Sequence, residues 1–347
     1  MLTERQKQIM SIIVEMYTES NQAEPVGSHV LSKHEELNVS TATLRNEMAL
    51  LEEMGYLEKT HTSSGRIPTE KGYRLYIDEL MNNDSLEEEM NDQVLQYFEN
   101  SKLSKKEALE NLIKTIIDNR DFNYGAVMLE KTAYNSLIKK IAFVYLKKQK
   151  GLFLLVTDHG LVLQKEASIP NGINISSIEK TIEYLDEKLH DVLLNDFKNA
   201  KRIEFVNDGF FDYISNAEAV LEICLRNIRK LVDDKKKIIG PYNILNHPDF
   251  MDISMAQSYI ECLKNESIYQ IVEFDSGPIP VISSTNSNNI TIKIGEDHQI
   301  PIMKKCTSIT AYFQSKHGTG AITIFGPLRM RYRYIITLLK AIAYNMK

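Results

Sequence analysis

The sequence predicts a multidomain α+β protein, and three observations support this. Residues 39–74 place a short helix before two short, turn-linked strands. Residues 141–163 and 290–325 contain short apolar runs separated by turn residues, as strands do, with helical periodicity between them. The chain has 347 residues, 43% of them hydrophobic, which is enough for two or three packed domains.

Composition narrows the class of protein. The three cysteines stand far apart with no paired spacing, which fits a reducing cytosol and argues against a disulfide framework or a zinc site. The longest apolar run, 152–156, is far too short to span a membrane. Residues 1–4 do not resemble a signal peptide. We therefore expect a cytoplasmic protein with no cofactor, no metal and no membrane partner.

The first two helices are predicted from spacing and punctuation. Helical spacing of apolar residues predicts the first helix, at Ile9, Ile12, Ile13 and Met16. Pro25 and Gly27 mark its exit, and Ser28 is the predicted N-cap of a second, shorter helix.

A third helix follows, capped by Ser40 or Thr41. Its core side is predicted to carry Leu44, Met48 and Leu51. The opposite side is predicted to carry Ala42, Asn46 and Ala49, with Thr43 and Arg45 on its flanks. Asparagine can pair with adenine and arginine with guanine, and small residues allow a close approach to base edges. An ordinary amphipathic surface helix is the alternative.

A hairpin is predicted after this helix. Gly55 ends the helix, residues 56–60 form a strand, and a polar loop leads to Arg66. Pro68 permits only a short return strand, and Thr69 caps the next helix. With Arg66 at its exposed tip, such a wing would contact phosphates or the minor groove. A plain hairpin with an exposed arginine is the alternative.

The charge distribution predicts that DNA is contacted by one basic segment and not by the whole domain. Residues 1–80 hold eight Lys/Arg and thirteen Asp/Glu, a net charge of −5. Within 59–74 the basic residues Lys59, Arg66, Lys71 and Arg74 face only Glu70, a net charge of +3. We expect modest non-specific affinity with strong salt dependence. Helix and hairpin together predict a winged helix-turn-helix that reads duplex DNA.

The remaining two-thirds of the chain predict an interrupted sheet. The acidic residues 82–92 are expected to form a connector, or alternatively a solvated helix end, and a helix is expected at 108–117. The predicted strands lie at 141–146, 152–156, 161–163, 272–274, 280–282, 290–294, 309–313 and 321–325. Helices are predicted at 177–195, at 215–232 and after Pro327. A sheet that stops before residue 170 and resumes after 270 indicates an inserted domain.

No pattern indicates an enzyme. His159 beside Asp158 lies in ordinary turn chemistry between two strands. Gly318 and Gly320 lack a third glycine at dinucleotide spacing and precede a strand. The sequence contains no metalloprotease, phosphate-loop or nucleophile-elbow motif.

Residues 24–80 resemble the N-terminal domain of the HrcA family of bacterial heat-inducible transcription repressors, most closely over 42–74. Residues 244–250 and 324–336 resemble the mid-chain and closing segments of the same family. One departure is the charged run 33–36, where the family usually has a more apolar helix end.

This resemblance implies a winged helix-turn-helix, a GAF-like antiparallel-sheet domain and a dimerising domain inserted into it. It also implies a homodimer on an inverted-repeat operator (CIRCE) of groE- and dnaK-type chaperone operons, with activity modulated by the GroE chaperonin. The expected DNA-binding residues are Ser40, Thr41, Thr43, Arg45, Asn46, His61, Thr62, Ser63, Ser64, Gly65 and Arg66, joined by the basic Lys71 and Arg74.

The expected domains are the winged helix at 1–81, a connector at 82–105, the GAF-like domain at 106–171 and 251–347, and the insert at 172–250. A regulator gated by a small molecule in the GAF-like domain is the alternative.

Overall fold

The computed structural model of the chain has an α+β fold with more than one compact unit. The structure describes residues 2–20, 24–34, 36–37, 39–59, 65–81, 84–119, 122–132, 136–199, 214, 216–233, 235–247, 250, 252–272, 289–315 and 318–346. The first unit comprises 1–128, 236–313 and 321–347, and the second comprises 129–235 and 314–320.

The described residues form helices and strands in the following order. The helices are α1 (Glu4–Glu19), α2 (Ser28–Leu31), α3 (Thr41–Glu53), α4 (Glu70–Leu75), α5 (Asp84–Asn100), α6 (Lys105–Ile117), α7 (Ile175–Leu189), α8 (Leu194–Asn199), α9 (Ala217–Leu231), α10 (Ile253–Lys264) and α11 (Tyr332–Asn345). The strands are β1 (Leu57–Lys59), β2 (Arg66–Pro68), β3 (Gly125–Thr132), β4 (Ile138–Tyr145), β5 (Lys150–Thr157), β6 (Val162–Ser168), β7 (Lys235–Ile239), β8 (Ile290–Ile294), β9 (Cys306–Ser315) and β10 (Gly318–Pro327).

The winged helix, defined here as α1 to α4 with β1 and β2, forms as the sequence predicts. Ser40 caps α3 by accepting a hydrogen bond from the Thr43 amide at 3.1 Å, and Thr69 caps α4. Strands β1 and β2 pair antiparallel, with Lys59 opposite Arg66. The predicted N-cap of α2 is wrong: Gly27 precedes the helix and Ser28 is its first, buried residue.

Most of the acidic segment expected to be a connector, or alternatively a helix end, lies in the 17-residue helix α5, which agrees with the alternative. Acidic side chains near a helix N-terminus are favoured by the helix dipole, so the acidic run supports the helix. Met90 and Val94, four residues apart, are buried, and α5 packs on α11. The many acidic residues of this segment made the helical spacing of Met90 and Val94 hard to recognise in the sequence.

The first unit is organised around a five-stranded sheet with the order β7-β3-β10-β9-β8. The strands predicted at 290–294, 309–313 and 321–325 are confirmed, and the closing helix is α11. The predictions over 273–282 lie outside the described residues. Buried residues of the winged helix, α5, α6, α11 and the sheet form one continuous cluster. The winged helix is therefore part of this unit and not a separate compact body.

The second unit has its own three-stranded sheet, β4-β5-β6. Its inner face buries Ile141, Phe153 and Leu155 against helices α7 and α9. The meander thus joins these helices instead of the larger sheet, whereas the sequence predicted an insert at 172–250. The domain boundaries stay a prediction. The described division falls at 129 and 235.

The helix predicted at 177–195 is also shorter than expected. It ends at Leu189, where the chain turns to pair with the start of β4. The Ile138 amide donates to the Val192 carbonyl at 2.9 Å, and Asp191 adopts a positive φ of 61°. A tertiary pairing thus ends this helix before its apolar pattern does. The helix predicted at 215–232 matches α9.

Candidate nucleic-acid interface

Helix α3 presents the two faces that its sequence predicts. Leu44, Met48 and Leu51 are buried, with at most 2% exposure. Ala42, Arg45 and Asn46 are exposed, while Thr43 and Ala49 are half-buried on the flanks. A polar, small-residue face on a helix whose other face is anchored in a core is suited to enter the major groove.

Two hydrogen bonds hold the polar residues of α3 in place. Ser40 Oγ lies 2.9 Å from Thr43 Oγ1, so both hydroxyls sit at the N-terminus of the helix. Arg45 Nε donates to Ser28 Oγ on α2 at 3.2 Å. Ser28 therefore positions the exposed arginine, a role that sequence reasoning missed because it assigned Ser28 to the cap.

Acidic side chains near α3 are paired with basic ones of the same domain. Glu47 lies 3.6 Å from Arg5 and accepts a hydrogen bond from Gln6 at 3.0 Å. Glu52 lies 2.7 Å from Arg66 and 3.8 Å from Lys59. The net negative charge of this domain is therefore partly compensated near the recognition helix.

The predicted position of Arg66 at an exposed wing tip is wrong. Arg66 begins β2, is only 9% exposed, and donates from Nε to Glu52 at 2.7 Å. Its amide and carbonyl also pair with Val26, at 3.0 and 2.9 Å. Arg66 pairs with Lys59 in the last rung of the ladder before the wing loop, and its bond to Glu52 joins β2 to α3. The wing residues His61, Thr62, Ser63 and Ser64 lie outside the described residues.

Gly65 is also buried, and a Cβ there would lie 2.7 Å from the Pro25 carbonyl oxygen. The wing must therefore pass close to the segment before α2. Only glycine permits this approach without moving that backbone.

Lys71 and Arg74 are occupied by contacts within the chain. Lys71 Nζ donates to the Met54 carbonyl at 2.7 Å and lies 4.3 Å from the centre of the Tyr56 ring. Arg74 Nη2 donates to Asp297 at 2.6 Å. The sequence analysis assigned Lys71 and Arg74 to a basic DNA-binding surface, because their partners within the chain cannot be read from the sequence.

Lys59 is the exposed cation of the described wing strands, with 59% of its side chain accessible. It was counted in the charge of the segment but not selected as a site residue. It lies across the ladder from Arg66, next to the wing loop, and its side chain is far more exposed than that of Arg66. No helix among the described residues is long and apolar enough to cross a membrane.

Comparisons with known proteins agree with this geometry. A family model described as "Winged helix-turn-helix transcription repressor, HrcA DNA-binding" matches residues 1–81, and one described as "HrcA protein C terminal domain" matches 119–336. A solved structure described as a hypothetical protein is 19% identical, covers 100% of this chain and 99% of its own, and has a TM-score of 0.61, which shows the fold. IclR of Thermotoga maritima is 12% identical over 99% of this chain and 96% of its own, but its TM-score of 0.20 supports no argument.

The recognition helix, its anchoring and the paired strands define a DNA-binding winged helix-turn-helix transcription repressor. Because the two family models together cover most of the chain, it belongs to the HrcA family of heat-inducible transcription repressors.

Replacing Arg66 with alanine is expected to destabilise the winged helix by about 2 kcal/mol, because a charge-assisted hydrogen bond is lost and Glu52 is left with the more distant and exposed Lys59, 3.8 Å away. The slope of log affinity against log salt should stay unchanged. Lys59→Ala is the matched control: it should leave stability within about 0.5 kcal/mol, and lower the slope by about one if Lys59 meets a phosphate. Urea unfolding and DNA titrations at several salt concentrations measure both quantities. A lower salt slope for Arg66→Ala would contradict this role and would indicate that Arg66 contacts a phosphate.

Proposed function

We propose that this repressor binds an inverted-repeat operator of the CIRCE type as a homodimer and controls chaperone operons of the groE and dnaK type. The exposed polar face of α3, anchored beside the paired wing strands, is the observation that carries this proposal. One such helix reads one half-site. A palindromic operator therefore calls for two copies related by a two-fold axis.

In this proposal Asn46 and Arg45 read base edges, because both are exposed on the outward face of α3. Ser40, Thr41 and Thr43 lie at the N-terminus of the same helix, where hydroxyl and amide groups suit a phosphate. The wing residues at 61–64 would contact the backbone or the minor groove. Arg66, Gly65, Lys71 and Arg74 support the winged helix from within.

The outer face of the three-stranded sheet is the proposed dimer surface. Cross-strand register places six apolar residues on this face, opposite α7 and α9: Ala142, Val144, Leu152, Leu154, Val156 and Val162. Val144 and Val162 are 45% and 55% exposed. A contiguous apolar face rimmed by polar residues is typical of a protein interface.

A second copy of this chain is the occupant that fits this face. The patch is flanked by both charge signs, with Lys140 in the row of Val156 and Glu166 in the row of Leu152. Opposite charges at the two ends of one surface allow it to face its own copy without like-charge repulsion. The two-fold operator requires such a self-complementary surface.

Modulation by the GroE chaperonin is the part of the proposal that rests on family membership. The chaperonin would keep the repressor in its DNA-binding form. Heat would divert the chaperonin to unfolded proteins and release the operon.

A gel shift combined with sedimentation tests this function. The protein should shift DNA carrying an inverted repeat upstream of a chaperone operon, and should sediment at twice its mass of 39.8 kDa. Val162→Glu should reduce the mass to that of one chain and weaken the inverted-repeat complex to the level of a half-site. Val30→Glu, at a valine 47% exposed in α2, is the control for sedimentation and should remain a dimer. A dimeric Val162→Glu protein would contradict the proposed surface.

The same gel shift separates chaperonin control from control by a small molecule. Under the proposal, heating or withdrawal of chaperonin lowers operator binding and added chaperonin restores it. Release of the operator by a metabolite, with chaperonin having no effect, would favour the ligand-gated alternative.

A further inference from the structure

The winged helix is fastened to the sheet of the first unit at two separate places, each through an arginine. The first fastening joins α4 to the turn after β8. Arg74 Nη2 donates to Asp297 Oδ2 at 2.6 Å and to the Ile294 carbonyl at 3.4 Å. Asp297 Oδ2 also accepts a hydrogen bond from the Ile294 amide at 3.0 Å, which fixes the carboxylate within its own turn.

Asp297 remains a carboxylate that can pair with Arg74. Burial alone would raise the pKa of Asp297, but the Ile294 amide and the Arg74 guanidinium outweigh burial and hold this pKa below its usual value. Both side chains are a little over one-third exposed, so this pair alone is a weak bond in solvent.

Glu70 adds a second contact of α4 with the same turn. Its Oε2 accepts a hydrogen bond from the Glu296 amide at 3.4 Å. A Cβ on Gly295 would lie 2.1 Å from that oxygen, and Gly295 has a φ of +53°. The turn is thus shaped to receive the Glu70 carboxylate, because a side chain at Gly295 would occupy its place.

The second fastening joins the segment after β10 to the C-terminal end of α1. Arg329 Nη1 donates to the carbonyls of Ser20 and Tyr17, the latter at 3.3 Å, and its guanidinium lies 5.5 Å from the centre of the Tyr17 ring. The last turn of α1 contains no basic residue. Arg329 therefore supplies the positive charge that the negative end of a helix dipole favours.

These fastenings leave the recognition helix accessible. They engage α4 and the end of α1, whereas Arg45 and Asn46 on α3 are exposed with both fastenings formed. The arrangement is therefore compatible with a winged helix bound to DNA. The two contacts, on different helices, add to the continuous buried core that joins the winged helix to the sheet, and they restrict its rotation about that core.

We propose that Asp297 and Arg329 act as positioning residues that hold the winged helix in one orientation on the sheet of the first unit, which narrows the range of half-site spacings that a dimer accepts. This inference rests on the proposed dimeric function. Each base pair added between half-sites rotates one relative to the other by about 35°, since a turn holds 10–10.5 base pairs. A fixed winged helix cannot follow that rotation, whereas a loosened one can.

The first experiment measures orientation without DNA. Spin labels are placed by Glu53→Cys on α3 and Glu261→Cys on α10, both exposed positions of the first unit, and the native cysteines are buried. Excess unlabelled protein ensures that a dimer carries one labelled chain. The distance distribution is expected to be narrow in the otherwise unchanged protein and to broaden in the Asp297→Ala, Arg329→Ala double variant. A distribution that stays narrow would overturn the proposal.

The second experiment measures affinity for a half-site and for inverted repeats whose spacer is changed by one to five base pairs. The double variant should keep its half-site affinity within about twofold and lose about tenfold for the best spacing, because the second contact is no longer pre-oriented. Its preference among spacers should flatten. An unchanged spacer preference would overturn the proposal.

Matched variants separate positioning from folding. Lys304→Gln removes the positive charge that pairs with Glu296, in the turn that also holds Asp297. Lys304 does not touch the winged helix, so this variant should behave as the unchanged protein. Asp297→Asn with Arg329→Gln keeps polar side chains and removes both charges, and it should give an intermediate broadening if the alanine variant unfolds. If the unchanged protein binds half-sites only, the dimeric function fails, while the label distances still decide the positioning role.

Discussion

Replacing Gly72 with alanine is expected to destabilise the winged helix by roughly 3 kcal/mol, because the added methyl group meets a fixed backbone atom. A Cβ at this position would lie 2.3 Å from the Tyr56 carbonyl oxygen and 2.5 Å from Met10 Cε. Met10 can adjust, but Tyr56 cannot. Its carbonyl accepts hydrogen bonds from the Thr69 amide at 3.0 Å and the Thr69 hydroxyl at 3.2 Å.

The measurement is native-state amide hydrogen exchange of α1 and α4, which reports local opening without assuming that the whole chain unfolds in one step. Gly27→Ala is the matched control, since nothing lies within 4 Å of a Cβ there. It should change stability by less than about 1 kcal/mol. Normal protection in Gly72→Ala would mean that β1 and α4 can separate without cost.

Replacing Asn46 with alanine is expected to cost roughly 1–3 kcal/mol of operator affinity and little affinity for unrelated DNA. Asn46 is exposed in the middle of α3, so its replacement leaves the core undisturbed and would remove the base contact proposed for it. Far-UV circular dichroism and thermal unfolding should be unchanged. Titrations of operator and scrambled DNA at one fixed salt concentration measure the difference.

Asn171→Ala is the control, at an exposed asparagine in the second unit. It should leave both affinities unchanged. Equal losses on operator and scrambled DNA for Asn46→Ala would show that Asn46 positions the helix on the backbone and reads no base.

Local signals predicted most of the winged helix. The caps Ser40 and Thr69 and the apolar spacing of Leu44, Met48 and Leu51 each act within one or two helical turns, so neighbouring residues suffice to identify them. For acidic residues 82–92, local signals left a connector and a helix end as alternatives. Local charge was visible there, whereas the packing of Met90 and Val94 against α11, far along the chain, was not.

The partners of the charged residues could be identified only from the tertiary structure. Arg66, Lys71 and Arg74 look alike in sequence, as basic residues beside a turn. Their partners are Glu52, the Met54 carbonyl and Asp297, at separations of 14, 17 and 223 residues. Pairing at such separations depends on how helices and strands pack, so no local sequence pattern predicts it.

The sequence alone determined the class of this protein and the face of α3 that meets solvent, because helix periodicity and capping are short-range properties. The tertiary structure decided which basic side chains bind partners within the molecule. It also decided that the meander packs with α7 and α9, and that Asp297 and Arg329 join the winged helix to the sheet. Each of these depends on residues distant in sequence that only chain packing brings within hydrogen-bonding distance.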